Sequence, residues 1–354
     1  MSARMVRGLI MTLVAVAMPL SIVAQGRPVT LFVPAFEGPE SLGRNVATIL
    51  NLQIWQTLRK APFPNPSNVT FGDGLILWDE KPLSSQTHDD AARVARNNEA
   101  DLVLWGKASR YGDGVVVQAY LTMPVSERER IWEVAVPGQD GASRISVQVP
   151  RLRYEFRPIV LTRAIVDSYL SPGALKLYPS PTSMEVIGNV GGAFTALEQG
   201  GNVARVESNG TKGWIRLPLL SASRSEVVDF VGGIIRVFRA DWDGAARLLQ
   251  NVIANPQTPT ALRLDAHLYR GVALERAGFD GTPDLQRAYE LNPYDRATVA
   301  YLLMNRVVTL SRMAASDPAR GRLVSDTQRL IATNRYLFPR SDLWLKRVSD
   351  VLAR

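Results

Sequence analysis

Cysteine is absent from the 354 residues. That excludes disulfides, thiolate metal sites, a cysteine nucleophile and an anchor on a lipoprotein cysteine. Histidine occurs twice, at His88 and His267, which excludes a three-histidine metal site. The sequence has no Gly-x-x-x-x-Gly-Lys-Ser/Thr, Gly-x-Gly-x-x-Gly, His-Glu-x-x-His or Gly-x-Ser-x-Gly. None of the six lysines follows a serine three residues earlier, so the penicillin-binding-protein nucleophile pattern is missing too. Glu127, Glu129 and Glu133 alternate with Arg128 and Arg130. Paired carboxylates can hydrolyse glycosides, but this alternation reads as an exposed, charged strand end. The sequence therefore implies no enzyme, no cofactor and no metal.

What is present begins with a leader. Arg4 and Arg7 precede a mostly apolar run from Leu9 to Val23, and Ser21-Ile22-Val23-Ala24 closes it on a small residue. This is the layout of a secretory signal peptide over 1–24, cleaved after Ala24. An uncleaved anchor helix is the alternative, but the run is short for a span and Pro19 interrupts it. No later run reaches 18 apolar residues, so the expectation is a periplasmic protein with no integral membrane span after cleavage. Without residues 1–24 the chain carries 39 basic and 33 acidic residues. Residues 295–354 hold 11 of the basic and five of the acidic ones, so the positive excess sits in the tail. Arg320, Arg322, Arg329 and Arg340 are candidates for a basic face; an ordinary solvated helical face is the alternative. Export argues against a nucleic-acid partner.

The length predicts two or three domains, and 46% hydrophobic with 21% charged residues is a globular composition. Residues 26–170 alternate strand and helix signals. Pro28–Ala35 is a buried strand. Leu42, Val46, Ile49, Leu50, Ile54 and Leu58 share one helical face. Strands are expected over 75–78, 102–105, 115–123, 130–136 and 144–149. Helices are expected over 87–100, capped by Thr or Asp near His88, and over 162–170. Tyr111-Gly112-Asp113-Gly114 has hairpin chemistry. The run Ala100-Asp101-Leu102-Val103-Leu104-Trp105-Gly106, followed by Gly112-Asp113-Gly114-Val115, resembles the amino-terminal α/β domain of TolB-like and curli-secretion-like envelope proteins. That resemblance implies a protein-docking module without catalytic residues.

Residues 173–220 are dense in turns and short strands, the pattern of a small β-barrel. Leu175, Pro179-Ser180, Val186-Ile187-Gly188, Gly192, Val203–Val206, Asn209-Gly210 and Gly213-Trp214-Ile215 resemble the bacterial Src-homology-3-like domain. The resemblance implies binding of peptide or cell-wall material, with Tyr178, Phe194 and Trp214 as ligand-groove candidates. Trp214 reads more readily as a core residue of such a barrel than as a ligand platform. Lys176 and Tyr178 depart from the Asn-Val-Arg run common in that family.

Residues 224–354 read as helices throughout, over 225–238, 242–255, 262–277, 282–291, 295–314, 318–336 and 340–353. Asn255-Pro256 and Asn292-Pro293 mark two exits. Ala245, Leu249 and Pro256, then Gly271, Gly278, Leu285, Ala288 and Pro293, resemble tetratricopeptide repeats. His267 reads as a packed repeat residue. Stacked helix pairs are expected to leave a concave face for peptide or protein segments. The function expected from all this is a non-catalytic periplasmic scaffold that binds other envelope proteins. The alternative is a peptidoglycan-binding regulator of envelope enzymes acting through 173–220. A hydrolase using carboxylates alone is a third reading.

Overall fold

The computed structural model describes residues 29–39, 42–58, 74–79, 81–125, 130–138, 141–162, 176–190, 195–200, 203–216 and 225–353. The leader expected over 1–24 with cleavage after Ala24, most of the helix expected over 162–170, and Phe194 lie outside the described residues. The architecture is mixed α/β with small sheets, followed by a helical carboxy-terminal part.

Strand β1 (Val29–Pro34) pairs in parallel with β2 (Gly74–Asp79) and β3 (Leu102–Tyr111). Strand β4 (Gly114–Thr122) runs antiparallel to β3. Its other edge carries β7 (Arg153–Glu155) and β8 (Ile159–Thr162). All of β1 is buried, because both sheet faces are covered. Leu31 and Val33 face α1 (Leu42–Thr57), which supplies Val46, Ile49, Leu50 and Ile54. Phe32, Val103 and Trp105 face α2 (His88–Asn97), which supplies Ala91 and Ala95. Thr87 caps α2 by accepting from the Asp90 amide at 3.2 Å, as expected near His88.

The β3–β4 turn has its positive φ at Gly112, φ 54°. The loop is Gly112-Asp113, one residue earlier than an Asp-Gly turn would place it. The Asn-Gly turn is present later: Asn209 and Gly210 both have positive φ, 49° and 76°.

Strands β5 (Arg130–Gly138) and β6 (Gly141–Gln148) pair only with each other among the described residues. This hairpin packs against the helical part of the chain instead of joining the main sheet.

The barrel expected over 173–220 is not closed among the described residues. Strands β9 (Lys176–Leu177) and β10 (Gly188–Asn189) form one ribbon. Strands β11 (Thr195–Gly200), β12 (Val203–Ser208) and β13 (Thr211–Arg216) form a three-stranded sheet. A Tyr178–Trp214 bridge joins the two, and no pairing links β10 to β11. The reason is local. Residues 180–187 run as turns and coil after Pro179 and Pro181, which cannot donate to a ladder. The strand expected at Glu185–Val190 shrinks to two residues, and Val186 and Ile187 stay exposed.

The helices are α3 (Glu226–Phe238), α4 (Trp242–Ala254), α5 (Thr260–Ala277), α6 (Thr282–Leu291), α7 (Arg296–Arg312), α8 (Pro318–Thr333) and α9 (Leu343–Leu352). Asn255 and Asn292 are extended at the exits of α4 and α6, as the following prolines require. Among the described residues no helix is long and apolar enough to cross a membrane.

The face shared by α3, α5 and α7 is not open. Phe230 of α3 packs against Tyr154 and Phe156, with ring centroids 4.9 and 5.9 Å apart. The hydroxyls of Tyr154 and Tyr269 lie 3.3 Å apart. Tyr301 donates to the Gln148 carbonyl at 2.5 Å, and Arg236 donates to the Thr57 carbonyl at 2.6 Å. The expected docking face is thus filled by the chain's own strands and by α1. One apolar core runs from β1 through Leu177, Val206 and Ile215 to Val348.

Candidate functional site

Packing the β5–β6 hairpin on the helices creates a cleft of about 690 Å3. One wall is the hairpin, with Arg130, Glu133, Arg144, Ser146 and Gln148. In the ladder Arg130 stands opposite Gln148, Glu133 opposite Ser146 and Ala135 opposite Arg144. Side chains alternate between faces, so this polar set shares the face opposite to buried Ile145 and Val147. The other wall comes from the first turns of α7, from α9 and from the connection before α9, with Asp295, Arg296, Tyr301, Phe338, Trp344 and Arg347.

Each helix start is fixed by a carboxylate. Asp295 caps α7, accepting from the Ala297 amide at 2.8 Å. Asp342 caps α9, accepting from the Leu345 amide at 2.9 Å. Those carboxylates also hold arginines. Asp342 pairs with Arg296 at 2.9 Å, and Arg296 lies over the Phe338 ring, 5.4 Å from its centroid. Phe338 and Trp344 are stacked with centroids 6.0 Å apart and planes 7° apart. Asp295 pairs with Arg151 at 3.1 Å, and Arg151 reaches Asp265 at 2.9 Å. On the hairpin, Arg144 pairs with Glu133 at 2.9 Å. Arg347 donates to the Arg144 carbonyl at 3.3 Å, which ties α9 to the hairpin. Behind the cleft, burial raises the Asp265 carboxyl to about 7, against the opposing pull of Arg151.

The residues expected to form sites are scattered. Tyr178 is half-buried, with the Arg216 guanidinium 4.3 Å above its ring. Trp214 is buried at 7% exposure and exchanges two 2.7 Å backbone hydrogen bonds with Tyr178; it packs, as its core reading had it. Three of the four arginines expected as a basic face, Arg320, Arg322 and Arg329, lie on α8. Arg320 turns back to the Leu310 carbonyl at the end of α7, at 2.5 Å. Arg329 approaches Asp326 at 3.5 Å. Arg322 is exposed on α8, and Arg340 lies in the connection before α9.

His88 Nδ1 lies 2.8 Å from the Thr122 hydroxyl, which also accepts from the Trp105 indole at 2.9 Å. Burial, helped by Arg153, holds the His88 pKa below its usual value. His267 is buried and 2.7 Å from Asp284, a packed residue as expected. Among the described residues no group of three or more His, Asp or Glu side chains could hold a metal ion.

The sequence reading missed Arg130 and Arg347 as cleft residues, together with the Phe338–Trp344 stack. They come from segments about two hundred positions apart, and only the hairpin's docking on α7 and α9 joins them. Compared with known protein families and with curated proteins, the chain matches none.

Proposed function

We propose that this chain is a non-catalytic adaptor of the bacterial cell envelope, delivered to the periplasm by residues 1–24, that holds protein or peptide segments. The observation that carries this reading is the cleft. It is concave, part aromatic and part charged, and its volume lies in the range of ligand pockets, about 300–1,000 Å3. Glu133, Arg144, Asp295 and Arg296 are held in capping and pairing. A rigid recognition surface fits that arrangement better than a reacting centre does. In this reading residues 26–170 are the TolB-amino-terminal-like domain, 173–220 the Src-homology-3-like module and 224–354 the tetratricopeptide-like part. The docking site lies at the edge where the first meets the last.

The second reading is binding of peptidoglycan through 173–220. One observation favours it. Met184, Val186 and Ile187 are exposed, and Arg216 touches both Met184, at 3.5 Å to sulfur, and the Tyr178 ring. Sedimentation with purified sacculi separates the two readings. The adaptor reading expects the protein to stay in the supernatant. Pelleting that is lost on Tyr178→Ala would overturn it in favour of the cell-wall reading.

A further inference from the structure

The charges of the cleft specify what kind of segment it would take; this step rests on the adaptor reading above. Glu133 and Asp295 are the carboxylates on its walls, and each already has an arginine, Arg144 and Arg151 respectively. Arg296 is likewise matched by Asp342. Arg130 and Arg347 are left. Among the described residues no carboxylate pairs with either, and both are exposed.

Their positions are set by the hairpin. Arg347 is held at the Arg144 carbonyl, while Arg130 stands opposite Gln148. Arg144 and Gln148 are four residues apart on β6, about 13 Å of strand at roughly 3.3 Å per residue. A guanidinium presents a planar fork that matches a carboxylate with two parallel hydrogen bonds. Trp344 adds a half-buried aromatic surface to the same cleft.

We infer that the cleft takes an extended acidic segment of a partner protein, with two carboxylates about four residues apart, one on Arg347 and one on Arg130. An apolar side chain of the segment packs on Trp344. The match is one of charge: the walls keep two unmatched cations and no unmatched anion, so neutral and basic segments gain nothing from them.

The test is selection from a displayed random nonapeptide library on the purified protein. Fluorescence anisotropy of the selected peptides then follows, on wild type and on the double variant Arg130→Gln/Arg347→Gln. Both residues are exposed, and an unchanged melting temperature shows that the variant is folded. The expected result is enrichment of Asp or Glu at two positions about four apart. The double variant should weaken binding by about two- to thirtyfold, as two exposed charge pairs would. Arg322→Gln/Arg329→Gln should leave it nearly unchanged. Enrichment of neutral peptides overturns the acidic-segment inference and leaves the adaptor reading standing. No enrichment at all overturns both. Equal weakening by the two double variants reduces the effect to net charge and overturns the inference. So does Arg130- and Arg347-dependent binding to phosphatidylglycerol vesicles in place of peptides, which would assign the cleft to a membrane surface.

Discussion

The guanidinium of Arg151 lies 2.9 Å from the Asp265 carboxylate, bridging the β6–β7 connection to the buried middle of α5. Asp265 is 1% exposed. It faces Arg151 and Asp295, and it lies within the field of Tyr154, Tyr269 and Tyr301. All three tyrosines are pushed up by burial and remain neutral at ordinary pH.

A stability slope with pH follows from that pair. The Asp265 carboxyl rises from 3.8 to about 7 in the folded chain, so folding favours its protonated form. Its contribution is fully present below about pH 4 and is lost as pH rises through 7. Asp265→Asn copies the protonated form and should remove the slope. Denaturant unfolding should show variant and wild type nearly equal at pH 4, with the variant gaining towards pH 8. The gap between 3.8 and about 7 caps that gain at about 4 kcal/mol. A difference that is constant with pH would show that burial does not govern this carboxyl.

Arg236 ties α1 to the helices. Its side chain is 5% exposed; it donates to the Thr57 carbonyl and pairs with Asp241, the cap of α4. Arg236→Ala strands a partly enclosed carboxylate and a carbonyl together. A loss of about 3–5 kcal/mol is expected, the range for breaking a buried pair from one side. Hydrogen exchange should localise the loosening to the end of α1 and the start of α4. Protection that stays unchanged at both places would contradict this role.

Gly271 is where α5 and α6 approach closely. A Cβ there would sit 2.6 Å from Leu285 and 3.2 Å from the Gly281 carbonyl oxygen. Gly271→Ala should destabilise the chain by about 1–3 kcal/mol through overpacking. In a Leu285→Ala background the same change should cost much less, because the clashing atoms are gone. Additive effects of the two substitutions, read by denaturant unfolding, would rule out this contact as the cause.

Much of the fold was legible because local signals were strong. The apolar run of β1, the Val46–Ile54 face of α1 and the Asn-Pro exits of α4 and α6 all lie where periodicity and proline chemistry put them. Gly271 stood out for the reason the structure gives, a small residue at a helix crossing. The β3–β4 hairpin was also visible, although its loop uses Gly112 where Asp113-Gly114 was read. The Val186-Ile187-Gly188 strand failed because apolar content does not reveal a missing partner, and the prolines at 179 and 181 withhold one.

The site was far less legible. Tyr178 and Trp214 drew notice as aromatics in a short β segment, yet a strand bridge occupies their backbones and Arg216 covers the Tyr178 ring. The tail arginines are numerous, and a count of charge does not show that Arg320 returns to a helix end or that Arg329 meets Asp326. The concave face read from the helix pairs is real surface only in a chain without Tyr154, Phe156 and α1. The cleft depends on one tertiary event, the docking of β5–β6 on α7 and α9, and no local pattern encodes it.

The most direct test of the adaptor account is photo-crosslinking in cells from a benzoylphenylalanine placed at position 343, exposed and one turn of α9 before Arg347, with position 329 as the exposed control. The account predicts a discrete adduct with one envelope protein from position 343 and none from position 329, with the crosslink mapping to an acidic stretch of that protein. Adducts to peptidoglycan fragments, or the same diffuse adducts from both positions, would contradict it.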